Sequence, residues 1–116
     1  MTDNPKAVAT AYFESWKAKD FDTLRALLAD DVTFRGPLGI ADGVDECLQG
    51  LKGMSGMITD IVIHKIFVDG SDVVTWYDLH AAHTGPMPTA NWSHLRDGKI
   101  AAIRATFDPR PLTDGT

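Results

Sequence analysis

Apolar residues recur every three or four positions through the first half of the chain and alternate with polar ones through the second. Val8, Ala11, Tyr12, Ser15 and Trp16 share one face at helical spacing, which predicts a helix opening at Asn4-Pro5. An Asn side chain caps free amides, and proline at the first helical position loses no hydrogen bond. Asp20 caps a second, short helix in which Phe21, Leu24, Leu27 and Leu28 repeat the spacing, so the two form a hairpin. Asp30 and Asp31 end that pattern. Val32, Thr33 and Phe34 read as a short strand running into a loop at Gly36-Pro37-Leu38-Gly39. Asp42 opens a third helix whose Val44, Cys47, Leu48, Leu51 and Met54 make one buried stripe, with Gly53 placed to end it. Beyond Gly56 the texture turns β-branched, predicting strands over 58–68, 73–83, 89–95 and 100–107 joined as a meander. Asp69-Gly70 and Asp97-Gly98 are short-turn signals, and Asp108-Pro109-Arg110-Pro111 stops the last strand. The tail over 112–116 is expected to fray. Helices followed by an antiparallel sheet predict an α+β layer fold.

Register decides which side chains share the interior. A four-residue turn at Thr84 to Met87 places Tyr77 opposite His94, Leu79 opposite Trp92 and Ala81 opposite Ala90. At the last hairpin two registers stay open. A three-residue turn with a Gly98 bulge keeps Asn91 and Ser93 level with Ile103 and Ala101; a two-residue turn puts Trp92 and His94 there. The cost of burying Asp78, His80, Asn91, Ser93 and Arg104 favours Tyr77, Leu79, Ala81, Trp92, Ile103, Ala105 and Phe107 as the helix-facing set.

Length and charge narrow the picture. The 116 residues suit one domain over 1–116, and 44% hydrophobic residues suffice for a core without disulfides, which a lone Cys47 forbids within one chain. With 11 Lys and Arg against 16 Asp and Glu, the net charge of -5 has the wrong sign for gripping nucleic acid. The longest apolar runs are four residues, at Ala26 to Ala29 and Ile100 to Ile103, so no membrane span is expected, and a cytoplasmic location follows from the lack of a basic segment leading an apolar one. His64, His80, His83 and His94 lack ligand spacing, and no glycine-rich phosphate loop occurs; neither metal nor cofactor is expected.

The stretch from Tyr12 to Gly39 resembles the opening of the SnoaL-like and ketosteroid-isomerase-like proteins of the nuclear-transport-factor-two-like superfamily. Leu95 to Ile100, followed by Phe107-Asp108-Pro109, resembles that superfamily's last hairpin. The resemblance implies three N-terminal helices packed in the concavity of a strongly bent, mainly antiparallel sheet: a cone-shaped α+β barrel with an apolar pocket at its open end, commonly in a homodimer. Tyr12 falls where the steroid isomerases place a tyrosine that hydrogen-bonds the dienolate oxygen. Their general base falls on Gly36, their second tyrosine near Leu51, and their protonated aspartate between Ala90 and His94, where no carboxylate stands. The aspartate that the epoxide-hydrolase subfamily uses falls on Ala105.

Candidate chemistry follows from residue type and place. A phenol at Tyr12 suits a hydrogen-bond donor to a ligand carbonyl, and His94, opposite Tyr77 in the expected register, suits a general acid or base. Trp16, Phe34, Tyr77, Leu79, Trp92, Ile103 and Phe107 are expected to shape the pocket. Asp78 and His80 share the outward face with Arg104, an expected homodimer surface; Arg35 reads as a solvated cation and Cys47 as inert packing. The expected ligand is a small apolar or carbonyl-bearing molecule. Two functions remain open: proton-transfer chemistry of isomerase, cyclase or dehydratase type, and a non-catalytic binding or dimerisation module.

Overall fold

The computed structural model describes residues 4–113; the tail residues Asp114 to Thr116, expected to fray, lie outside them. Helix α1 spans Pro5–Lys17, with the Asn4 side chain accepting from the Ala7 N–H at 3.2 Å and Tyr12, Phe13 and Trp16 on its buried face. Helix α2, Phe21–Leu27, is capped by Asp20, whose carboxylate accepts from the Thr23 N–H at 3.2 Å and the Thr23 hydroxyl at 2.7 Å. Leu28, expected in this helix, instead begins strand β1, Leu28–Gly36. The short strand is thus nine residues long, because its neighbour β6 pairs with it in parallel from Leu28↔Ile100 to Arg35↔Arg104. Asp30 and Asp31 take exposed strand positions rather than ending a pattern.

The expected loop at Gly36 to Gly39 is a hairpin. Strand β2, Gly39–Asp42, folds back on β1 with Phe34 opposite Ala41. Helix α3, Val44–Ser55, starts from Gly43 at φ 91° and runs through Gly53, which does not stop it, to Gly56. Strands β3 (Ile58–Asp69), β4 (Asp72–Ala81), β5 (Met87–Arg96) and β6 (Lys99–Thr106) make the meander. A last turn of helix, α4 (Arg110–Thr113), packs Leu112 half-buried against the core. No described helix is long and apolar enough to cross a membrane.

The six strands form one curved, unclosed sheet in the order β2-β1-β6-β5-β4-β3, and α1 to α3 lie in its concavity. Register shifts on β3, on β1 and between His94 and Leu95 mark where the ladder departs from regularity; such irregularities bend strands. Tyr12, Phe13, Trp16, Tyr77, Leu79 and Ile103 belong to one contiguous core. The Phe13 ring stands edge-on to Tyr12 at 4.9 Å and lies 4.8 Å from Tyr77.

The middle hairpin corrects the expected register. Asp72, not Tyr77, stands opposite His94, Val74 opposite Trp92, and Leu79 opposite Met87. An odd displacement turns every side chain of β5 over. Trp92 and His94 therefore face outward, with Trp92 49% exposed, while Thr89, Asn91 and Ser93 face the helices and are buried. Asp97 and Gly98 both have positive φ, 54° and 77°, as a two-residue type I′ turn requires. The irregularity between His94 and Leu95 then sets Ser93 opposite Ile103 and Asn91 opposite Ala105. Asn91 and Ser93 escape the expected desolvation penalty in part through each other, since the Ser93 hydroxyl donates to Asn91 Oδ1 at 3.1 Å.

Candidate functional site

A cavity of about 320 Å³ opens between α3 and the β1–β2 hairpin, within the usual range for small-molecule sites. Its walls follow from strand and helix periodicity. Phe34 and Ala41 are cross-strand partners on the inner face of the hairpin, and Cys47, Leu51 and Met54 project from one side of α3. Gly50 and Gly53 lie on the same wall, and an added Cβ would meet nothing within 4 Å at either, so the hollow exists partly because α3 lacks side chains there. Glu46 sits at the rim and accepts a hydrogen bond from the Asp42 N–H at 2.9 Å, tying the start of α3 to β2. The Phe34 ring folds over Gly36, where an added Cβ would sit 2.9 Å from Phe34 Cε1.

Behind Cys47 lies a group of buried protic side chains. Tyr12 is 1% exposed, and burial pushes its phenol well above its ordinary range, helped by the proximity of Cys47 and Tyr77. Tyr77 is raised by burial alone, and the Cys47 thiol is pushed up to about 11. All three hold their protons at neutral pH, so the phenols are donors and the thiol is a poor nucleophile. Among the described residues neither phenol makes a hydrogen bond. Trp16 is buried, and its indole N–H donates to the Leu51 carbonyl at 2.9 Å, fixing α1 against the cavity wall.

Sequence reasoning missed the floor of this interior. Thr75, Thr89, Asn91 and Ser93 are buried on the inner face of β4 and β5. The alternation of Met87, Thr89, Asn91, Ser93 and Leu95 carried the signal, and the assumption that polar residues face out obscured it. Thr89 donates to the Met87 carbonyl at 3.0 Å.

The expected site residues therefore divide. Tyr12, Trp16, Tyr77, Leu79 and Ile103 meet in the core, Phe34 lines the cavity, and Phe107 is half-buried. His94 and Trp92 stand on the opposite face of the sheet from Tyr12. There one oxygen of Asp72 accepts from His94 Nδ1 at 2.8 Å and from the Trp92 indole at 2.9 Å, and these bonds hold the Asp72 carboxyl below its usual range. Asp78 and His80 share the outward face of β4 as expected, and Asp78 bonds to His64 on β3, 2.9 Å away. Arg35 pairs with Asp42 at 3.0 Å, and Arg104 bonds to Thr33 and the Ile103 carbonyl. Among the described residues no group of three or more His, Cys, Asp or Glu side chains is arranged to hold a metal ion.

The pattern of the SnoaL-like domain matches residues 9–103. The chain belongs to the SnoaL-like domain family. Solved structures share its backbone. A protein from Kribbella flavida DSM 17836 is 26% identical with a TM-score of 0.88, over 93% of this chain and 89% of that one. A nuclear-transport-factor-two-like protein of unknown function from Cytophaga hutchinsonii is also 26% identical, with a TM-score of 0.84 and 97% of each chain covered. An epoxide hydrolase of LEH-like type from M. tuberculosis is 24% identical with a TM-score of 0.77, over 94% and 86%; at that identity the likeness speaks for fold alone. A search of curated proteins finds no match.

Proposed function

We propose that this SnoaL-like chain binds a small, largely apolar molecule in the cavity between α3 and the β1–β2 hairpin. The observation that carries the reading is the cavity wall itself, built from Phe34, Ala41, Cys47, Leu51 and Met54, with Glu46 confined to the rim. Tyr12, buried behind Cys47 and outside the cavity's lining, is proposed as donor, through its neutral phenol, to a ligand oxygen such as a carbonyl that reaches past Cys47. Binding without turnover is favoured over proton transfer. The family's base position is Gly36, the phenols and thiol of the interior keep their protons at neutral pH, and His94 faces away. Related structures include an epoxide hydrolase, so hydrolysis of a strained ether is the chemistry against which this reading is set; the aspartate position that the resemblance to the epoxide-hydrolase subfamily implies is occupied here by Ala105.

Mass spectrometry of compounds released on denaturing the purified protein tests the reading. A compound carried by the wild type should be absent from Gly50→Phe, which fills the hollow without touching the core, and depleted in Tyr12→Phe. Equal release from wild type and Gly50→Phe would overturn the cavity as the binding site.

A second copy of the chain is the proposed partner of the outer sheet face. Phe67, Val74, Trp76 and Trp92 expose large apolar surfaces there, flanked by Asp72 and by Arg104, which makes no ion pair among the described residues. A face carrying both an acidic and a basic group beside apolar ones is self-complementary across a two-fold axis.

A further inference from the structure

Of the residues that line the cavity between α3 and the β1–β2 hairpin, Glu46 alone carries a charge. Its acidic neighbours are neutralised. Asp42 pairs with Arg35 at 3.0 Å and Asp45 with Arg25 at 2.8 Å, while the Lys52 ammonium, further along α3, lies over the Phe21 ring at 5.4 Å from its centre. Glu46 makes no ion pair among the described residues. The one acid that borders the hollow is thus the one left without a cation.

Glu46 also has a structural duty, and that duty leaves its charge unused. It stands in the first turn of α3, and its Oε1 accepts from the Asp42 N–H at 2.9 Å, the kind of bond that fastens a helix start to the chain before it. A neutral acceptor would make that bond equally well. The second carboxylate oxygen has no hydrogen bond among the described residues. Helix geometry opens a path from it into the hollow. Gly50 lies one turn beyond Glu46 on the same face and Gly53 about one turn further, and an added Cβ at either would meet nothing within 4 Å. The carboxylate, fixed by its bond to Asp42, therefore stands over a wall without side chains, with Phe34, Leu51 and Met54 among the apolar groups around the space below.

We infer that the cavity takes a protonated amine on a small apolar body, with the ammonium at the rim against Glu46 and the body in the hollow. The inference rests on the cavity reading above and adds the ligand's charge and the residue that selects it. An ammonium at the rim keeps part of its water while it donates to the free carboxylate oxygen, so it gains attraction without the cost of full burial. A carboxylate in the same place meets a like charge with no cation beside it. A neutral alcohol of the same shape gains the apolar contacts alone.

Three naphthalene probes of one shape separate these cases in titration calorimetry: 2-naphthylmethylamine, protonated at neutral pH, 2-naphthalenemethanol and 2-naphthoate. At low salt the wild type should bind the amine about fivefold more tightly than the alcohol, and the carboxylate most weakly. Glu46→Gln keeps an acceptor for the Asp42 N–H and removes the charge, so it should bring the amine down to the alcohol while leaving the alcohol unchanged. Glu14→Gln, the same loss of charge on α1 away from the cavity lining, should leave the preference for the amine intact. Raising salt from about 20 mM to about 500 mM should shrink that preference in the wild type itself, a reading that needs no variant to fold. Equal binding of amine and alcohol by the wild type, a preference that survives Glu46→Gln or vanishes equally in Glu14→Gln, or equal losses of both probes in Glu46→Gln, overturn the inference while leaving the cavity reading intact. Binding that Gly50→Phe fails to abolish overturns the cavity reading and the inference with it, as does the absence of any probe binding.

Discussion

At the scale of single residues, the interior is organised around protons that do not leave. Cys47 shows how this reaches stability. Burial raises its thiol from an ordinary 9.0 to about 11, so the unfolded chain loses this proton first as pH rises. A raised folded-state value means that the stabilisation is complete below pH 9 and drains away as pH climbs toward 11. The loss should reach on the order of 2 kcal/mol by pH 10.5. Tyr12 and Tyr77, raised in the same direction by burial, extend the decline to higher pH. Urea unfolding at pH 8 and pH 10.5 measures this. Cys47→Ala should be less stable at pH 8 because a small cavity is left, yet lose less than the wild type between the two values. An identical pH slope in both proteins would show that the thiol is not held in the apolar setting described. The same burial makes Cys47 slow toward thiol reagents at pH 8 until the protein unfolds.

At the scale of elements, turns decide which faces meet. Asp97 and Gly98 sit at φ 54° and 77°, a conformation glycine adopts freely and a β-carbon resists. Gly98→Ala should cost about 1 kcal/mol in denaturant unfolding, whereas Asp97→Asn should be nearly neutral. A neutral Gly98→Ala would mean that the turn is not the two-residue type. That turn was legible because its residue pair has a backbone meaning of its own. The connection between β4 and β5 was not. Ala82 to Pro86 carries no pair that fixes a turn type, and displacing the register by an odd number of positions exchanges the two faces of β5. The tie-break applied to it, that polar residues face water, fails where Asn91 and Ser93 satisfy one another. The helices were legible because caps and apolar spacing act within a few residues: Asn4 and Asp20 cap where expected. The length of β1 was not, since its partner β6 lies far along the chain and pairs with it on both sides of Asp30 and Asp31, at Leu28↔Ile100 and again from Thr33↔Ala102. For the interior, Phe34, Tyr12 and Trp16 follow from helix faces and a short strand, while the inward placement of Asn91 and Ser93 depends on the register of β5.

At the scale of the whole molecule, the two faces of one sheet carry opposite assignments. The inner face holds the core and the cavity; the outer face leaves Trp76 at 43% and Trp92 at 49% exposed, with Phe67 opposite Val74 and Val74 opposite Trp92 in one row. Isolated exposed apolar residues need no explanation, but a row of large ones across three adjacent strands is the pattern of a surface that is covered in use. The row continues through Arg104 to Arg35, and Asp72 lies beside Trp92, so a two-fold contact brings acidic and basic groups of opposite copies within reach while burying the indoles. A stable pair needs roughly 800 Å² from each partner, which one broad sheet face can supply and the short edge strand β2 cannot. Sedimentation velocity should accordingly give twice the chain mass for the wild type at micromolar concentration. Trp76→Glu should shift it to the single-chain mass, since a carboxylate desolvated in an apolar contact without a partner costs several kcal/mol. Ile40→Glu, an exposed apolar position on the edge strand, should leave the mass unchanged. A wild type that sediments as one chain, or an Ile40→Glu variant that dissociates while Trp76→Glu does not, would move the interface away from this face. The interior is a separate matter under either result, because the cavity opens between α3 and the β1–β2 hairpin, on the side of the sheet that the helices occupy.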